Sequence, residues 1–174
     1  MKNLHRLLRY DLPLHFSLLL TNWLPDNVFF LRLRGALARP FLGRCGGNLR
    51  LGRNVTFYNP SSISLGRDIY VAQGTWFMAG ETIMVGDEVL IGPYCVIVSA
   101  NHTRKGHSFR FGKALHAPIC IGCGCWLAAH VTVTAGSSIG NGCLIAANSV
   151  IRGTIPDDSV AAGVPARVVK TFSS

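Results

Sequence analysis

Large aliphatic residues return at every sixth position in the C-terminal half of the chain: Ile121, Leu127, Val133, Ile139, Ile145 and Ile151. Each of the first five is followed by a small residue or threonine, namely Gly122, Ala128, Thr134, Gly140 and Ala146. A helix would space apolar positions three or four apart, and a half-buried strand would alternate over a short run. A period of six instead predicts a coil of short flat strands, each face turning one aliphatic side chain inward. That is the pattern of a parallel β-helix built from hexapeptide repeats. Three such repeats close one triangular turn, so Ile139 is expected directly against Ile121, one coil further on.

The same period runs upstream. Leu65, Val71 and Phe77 form one set, and Val85, Ile91 and Ile97 form another, displaced by two residues. It fails at 103–118, TRKGHSFRFGKALHAP, where no repeat fits. This segment is polar and basic and is punctuated by Gly106, Gly112 and Pro118, so a loop thrown out from the coil is expected there. Excursions of this length from a regular scaffold are usually functional or disordered.

Residues 1–45 follow a different pattern. Their apolar stretches, HFSLLL at 15–20 and VFFLRLRGALARPFL at 28–42, are cut by Pro25, Arg32, Arg34 and Pro40. None supplies the roughly 20 apolar residues that span a bilayer. A signal peptide is not expected either, because Asp11 and Pro13 precede a short apolar run with no small-residue cleavage pattern after it. One or two amphipathic helices are expected at 1–45, as a leader to a β-helix domain at 46–171. Two roles stay open for them: a cap over the open strand edges of the coil, and an interfacial element attracted to anionic lipid.

Composition sharpens this division. The chain has 174 residues, 49% of them hydrophobic, which suits one domain with a narrow core. Its formal charge of +9 is uneven. Residues 1–53 hold nine Lys/Arg against two acids, or +7, and residues 54–174 hold eight against six, or +2. No stacking platform or nucleic-acid reading motif accompanies the positive charge, so nucleic acid is not expected as a partner.

Six cysteines, three of them in the run Cys120, Cys123 and Cys125, raise the question of a metal. That spacing lacks the second ligand pair of a zinc site. Cys95, Cys125 and Cys143 fall at the fifth position of the repeat, which elsewhere holds Val131, Ser137 and Ser149, and there cysteine acts as a small hydrophobe. In a reducing compartment they remain thiols. Among the histidines, His102 and His107 are five apart, but no histidine lies between His15 and His102 to complete a three-histidine site on an earlier coil. No metal is expected. His130 falls at a corner position that faces solvent, and His107 and His116 lie in the excursion. His102 differs because it closes the last repeat before the excursion begins.

The runs IVSANHTRKG and PICIGCGCWLAAHVTVTAGSSIGNGCLIAANSVIRGTIPDDSVAAGVPARVVK resemble the hexapeptide-repeat O-acetyltransferases, which include the maltose, galactoside, Nod-factor and polysaccharide acetyltransferases. The resemblance covers about 65–171. It implies a left-handed parallel β-helix, mainly β, assembled as a homotrimer with acetyl-CoA in the groove between subunits. The leader is similar to the longer basic leaders of capsule and O-antigen acetyltransferases.

An acetyl thioester is already activated, so the enzyme must mainly align a sugar hydroxyl and take up its proton. An imidazole with an ordinary pKa of about 6.5 can do so at neutral pH. The resemblance gives this general-base role to His102, and acceptor contacts to Asn101 and Gln73. It gives Ala129 and Ala147 to the pantetheine arm and Arg152, Arg167 and Lys170 to the CoA phosphates. The group that orients His102 is not assigned by the sequence. Trp126 is expected to pack beneath the excursion.

The expected activity is therefore acetyl-CoA-dependent O-acetylation of a saccharide, a cell-surface polysaccharide or its precursor. The expected location is cytoplasmic, with peripheral contact to the inner membrane face through 1–45 left open. N-acetylation of a nucleotide-linked amino sugar and a non-catalytic scaffold are the competing readings.

Overall fold

A computed structural model describes residues 2–172. Residues 44–163 wind into a parallel β-solenoid whose strands, two or three residues long in most cases, stack into three faces. The first face carries Arg44–Cys45, Ile63–Leu65, Ile83–Val85, Ile119–Ile121, Ser138–Ile139 and Thr154–Ile155. The second carries Arg50–Leu51, Tyr70–Val71, Leu90–Ile91, Trp126–Leu127, Leu144–Ile145 and Ser159–Gly163, and is closed by an antiparallel strand, Ala166–Thr171. The third carries Thr56–Tyr58, Trp76–Met78, Val96–Val98, Thr132–Thr134 and Val150–Ile151.

The register follows the hydrophobic period. Ile121 lies against Ile139, Leu65 against Val85, and Val85 against Ile121 across the excursion. The inward aliphatics at these positions are buried in one continuous core. Burying each such side chain contributes about 1.5–3 kcal/mol. The last coil departs from the period: Ile155, not position 157, pairs with Ile139. The link from Ile151 to Ile155 is two residues short, and an acid, Asp157, occupies the place a further repeat would give to an aliphatic residue.

The N-terminal segment is helical over Lys2–Arg6, through a π-helical turn at Leu7–Asp11, and over Leu12–Leu19; a second helix spans Val28–Ala38. Asn27 starts that helix, its side chain accepting from the Phe30 N–H at 3.0 Å. Leu14, Leu18, Ala38 and Leu42 join the core of the first coil. The helix Val28–Ala38 passes so close to the strand Arg50–Leu51 that a Cβ on Gly35 would overlap the Leu49 carbonyl.

One leader cation does not face outward. Arg34 points into the protein and is 1% exposed. Its guanidinium pairs with Asp26 at 3.1 Å and donates to the carbonyls of Leu51, Thr21 and Leu24. A fully buried charge needs such partners, so Arg34 acts as an internal tie and presents no charge outside. Among the described residues, no helix is long and apolar enough to cross a membrane.

Candidate functional site

The excursion is an ordered hairpin at its base. Ala100–His102 pairs antiparallel with Ala114–His116, in the register Ala100 to His116, Asn101 to Leu115 and His102 to Ala114. The loop expected at 103–118 is rooted as a hairpin that begins at Ala100: the two runs Ala-Asn-His and Ala-Leu-His zip together through backbone hydrogen bonds. Ser99 ties the root to the preceding coil. Buried completely, its hydroxyl donates to the Glu81 carbonyl at 2.6 Å and accepts from the Glu81 N–H at 2.9 Å. Its own carbonyl accepts from the Ala117 N–H at 3.2 Å. Beyond His102, the Thr103 N–H and hydroxyl both donate to the Lys113 carbonyl.

His102 therefore stands at the root of a built ribbon, on the edge where the third face turns into the first, with its side chain exposed. No hydrogen-bond partner orients its ring among the described residues. Neighbouring side chains on a strand point to opposite sides, so Asn101 and His102 do not share a side of the ribbon. His116 does share the side of His102, because it lies opposite Ala100. The sequence placed His116 in the excursion, and the repeated Ala-x-His at its two ends was the signal that His102 and His116 belong to one ribbon. The hairpin exposes Leu115 at its root, opposite Asn101, and Phe109 and Phe111 further out.

Gln73, Ala129 and Ala147 occupy a different edge, where the second face turns into the third. They lie in one column: the Tyr94 N–H donates to the Gln73 carbonyl, His130 to Pro93 and Asn148 to Ala129. Among the described residues, the N–H groups of Gln73, Ala129 and Ala147 have no acceptor. Two more side chains join the column. Tyr94 and His130 stack with ring centroids 5.4 Å apart at 11°, and the Gln73 amide reaches the Tyr94 hydroxyl at 3.5 Å. His130 is exposed, as its corner position suggested, yet the Tyr94 ring fixes its plane.

The candidate phosphate-binding cations divide. Arg152 is exposed on the same edge as His102, two coils further on. Arg167 and Lys170 lie on the strand Ala166–Thr171, outside the second face. Three residues apart on a regular strand, these two would face opposite ways. A β-bulge between Val160 and Ala161 sets Lys170 opposite Val160 and Arg167 opposite Ala162. Both therefore project outward from the end of this face. One chain does not bring Arg152 to them.

Trp126, expected beneath the excursion, is exposed on the second face between Leu90 and Leu144 instead. Cys95, Cys125 and Cys143 point inward and are buried, their thiols within reach of the carbonyls of Ala128, Gly140 and Pro156. Burial pushes the Cys95 and Cys125 thiols up to about 11, so they are poor nucleophiles. Among the described residues, no group of three or more His, Cys, Asp or Glu is placed to hold a metal.

The profile of the family described as bacterial transferase hexapeptide (six repeats) matches residues 121–153. The galactoside O-acetyltransferase of Escherichia coli K12 is 31% identical over 140 residues, which span 80% of this chain and 69% of that protein. A second protein of the same strain carries the provisional name lipopolysaccharide biosynthesis O-acetyl transferase WbbJ. It is 33% identical over 140 residues, spanning 74% of this chain and 68% of that protein. Among solved structures, a galactoside acetyltransferase in complex with coenzyme A superimposes with a TM-score of 0.82 at 28% identity, covering 93% of this chain and 80% of that one.

Proposed function

The chain belongs to the hexapeptide-repeat acetyltransferase family, and from that premise we propose that it moves the acetyl group of acetyl-CoA to a hydroxyl of a saccharide, a cell-surface polysaccharide or its precursor. The observation that carries this reading is the placement of His102, an exposed imidazole on a hydrogen-bonded ribbon rooted in a rigid coil. In the step proposed, the His102 imidazole takes the proton of the sugar hydroxyl as its oxygen attacks the thioester carbonyl. The tetrahedral adduct then collapses, the C–S bond breaks, and the leaving thiolate takes the proton back from the imidazolium. No acyl-enzyme is needed, and alignment of two bound substrates supplies much of the rate.

The working site is proposed to lie between subunits of a homotrimer. His102 is on one edge of the prism, whereas Gln73, Ala129 and Ala147, with Arg167 and Lys170 outside the adjoining face, are on the other side of the same chain. A cyclic assembly sets the His102 edge of one subunit against the donor column of the next. The hairpin supports this arrangement, since Phe109, Phe111 and Leu115 offer an apolar surface for such a contact. The N–H groups of Ala129 and Ala147 then serve the pantetheine amides, and Arg167 and Lys170 the phosphates. Gln73 serves the acceptor, facing a partner's His102. Asn101, on the far side of the ribbon from His102, contacts a different part of the acceptor or of the neighbouring chain. Arg152, on the His102 edge, reaches a phosphate only across the subunit boundary. Acetyl-CoA is an intracellular metabolite, which puts the proposed reaction on the cytoplasmic side.

The test is a thiol-release assay with acetyl-CoA against free sugars, nucleotide-linked amino sugars and oligosaccharides, followed by NMR of the product. An ester on a sugar oxygen is expected. An amide formed only on an amino sugar would replace O-acetylation by N-acetylation, and no release with any acceptor would contradict an acetyltransferase.

A further inference from the structure

We propose that the outward side of the N-terminal helical run is a docking surface for an anionic lipid bilayer. Leu4, Leu8, Leu12, Phe16, Leu19 and Leu20 line it, and Trp23 stands just past its end; their exposures run from 37% at Leu12 to 77% at Trp23. A soluble surface rarely leaves so continuous an apolar row open.

The helix geometry keeps the row together. Side chains four apart drift around an α-helix of 3.6 residues per turn. The π turn at Leu7–Asp11, marked by the Leu12 N–H bonding back to the Leu7 carbonyl, winds more slowly and takes part of that drift back. Leu4, Leu8, Leu12 and Phe16 therefore stay on one side. The opposite side is already used, because Leu14 and Leu18 are buried in the core of the first coil. Capping and docking thus draw on separate faces of one helix, and the two roles left open by the sequence are compatible.

Charge selects the occupant. His5, Arg9 and Arg32 are exposed beside these helices, and residues 1–53 carry +7 in all. Both acids of that segment are engaged, Asp11 with Arg6 at 3.5 Å and Asp26 with Arg34 and Arg53. With both acids engaged, Arg9 on this helical run and Arg32 on the next helix stand without an acidic partner among the described residues, and the leader carries net positive charge. A second copy docking symmetrically on the same face would bring two cationic leaders together, whereas anionic headgroups complement them. An exposed tryptophan beside an apolar helix face suits the bilayer interface.

Flotation of the full-length protein with phosphatidylcholine vesicles, with and without phosphatidylglycerol, at low and raised salt, tests this. The protein is expected to float with the phosphatidylglycerol vesicles and much less with phosphatidylcholine alone. The triple variant Leu8→Ser, Phe16→Ser, Trp23→Ser should lose about tenfold or more of the bound fraction, with circular dichroism and light scattering unchanged. Should the triple variant fold poorly, Arg9→Gln with Arg32→Gln gives the second arm, and its binding should fall and become less sensitive to salt. Protein that stays in the soluble fraction with every vesicle overturns the proposal. So does a triple variant that floats like wild type, or one whose oligomeric state changes, since that would make the face a subunit contact.

Discussion

The imidazole of His116 lies across the hairpin from Ala100, on the side of the ribbon that carries His102, and rests over Gly80 of the preceding coil. A Cβ added at Gly80 would come within 2.8 Å of the Ala100 Cβ and 3.1 Å of the His116 Cδ2. The bare backbone at position 80 thus sets how closely the ribbon settles on the coil. Gly80→Ala is expected to lift the ribbon and misplace His102, lowering kcat by up to about 10²-fold. The KM for acetyl-CoA should change less than kcat, because the donor-column residues themselves belong to the neighbouring subunit of the proposed trimer and are untouched by the substitution. Steady-state kinetics check this split; an unchanged kcat would show that the seat of the ribbon does not matter.

Separation of His102 from Ala147 within one chain makes a second outcome specific. In the proposed trimer His102→Ala removes the base and Ala147→Trp blocks the donor column with a large ring, so neither variant alone should be active. Co-expressed at equal levels, the two variants should recover about a quarter of wild-type activity, since one site in three of each mixed trimer unites two intact halves. Assay of the purified mixed assembly would return none if each chain held a complete site.

Stability should depend on an internal tie. Arg34 joins Asp26 to the carbonyls of Thr21, Leu24 and Leu51, so it fastens the leader to the first coil. Arg34→Ala strands these buried acceptors and is expected to cost about 1–3 kcal/mol. Denaturant unfolding, followed by circular dichroism, measures it. A loss below about 1 kcal/mol, the scale of a surface pair, would mean that the tie is not needed.

The coil was legible because each repeat commits one aliphatic residue to a core that tolerates no other placement; Ile121 against Ile139 follows from counting alone. The shortened last coil was not, since Ile155 needs only burial and keeps no period with Ile151. The ribbon escaped for another reason. Its pairing of Ala100–His102 with Ala114–His116 rests on backbone hydrogen bonds between segments that carry no apolar alternation. His102 could be singled out by its place in the repeat, and the same counting separates its edge from that of Gln73. The common outward direction of Arg167 and Lys170 depends on a bulge that side-chain identity does not announce. Arg34 reads as one more leader cation until its carbonyl partners, distant in sequence, are placed around it.

The central claim is that His102 is the base in acetyl transfer. Thiol release from acetyl-CoA, measured with an active acceptor under saturating conditions, should fall by roughly 10²–10⁴-fold in His102→Ala, with circular dichroism, oligomeric state and acetyl-CoA affinity unchanged. His15→Ala, which alters an exposed imidazole on the helix Leu12–Leu19 and outside the proposed site, should leave the rate within a few fold. Equal rates in wild type and His102→Ala would contradict the account.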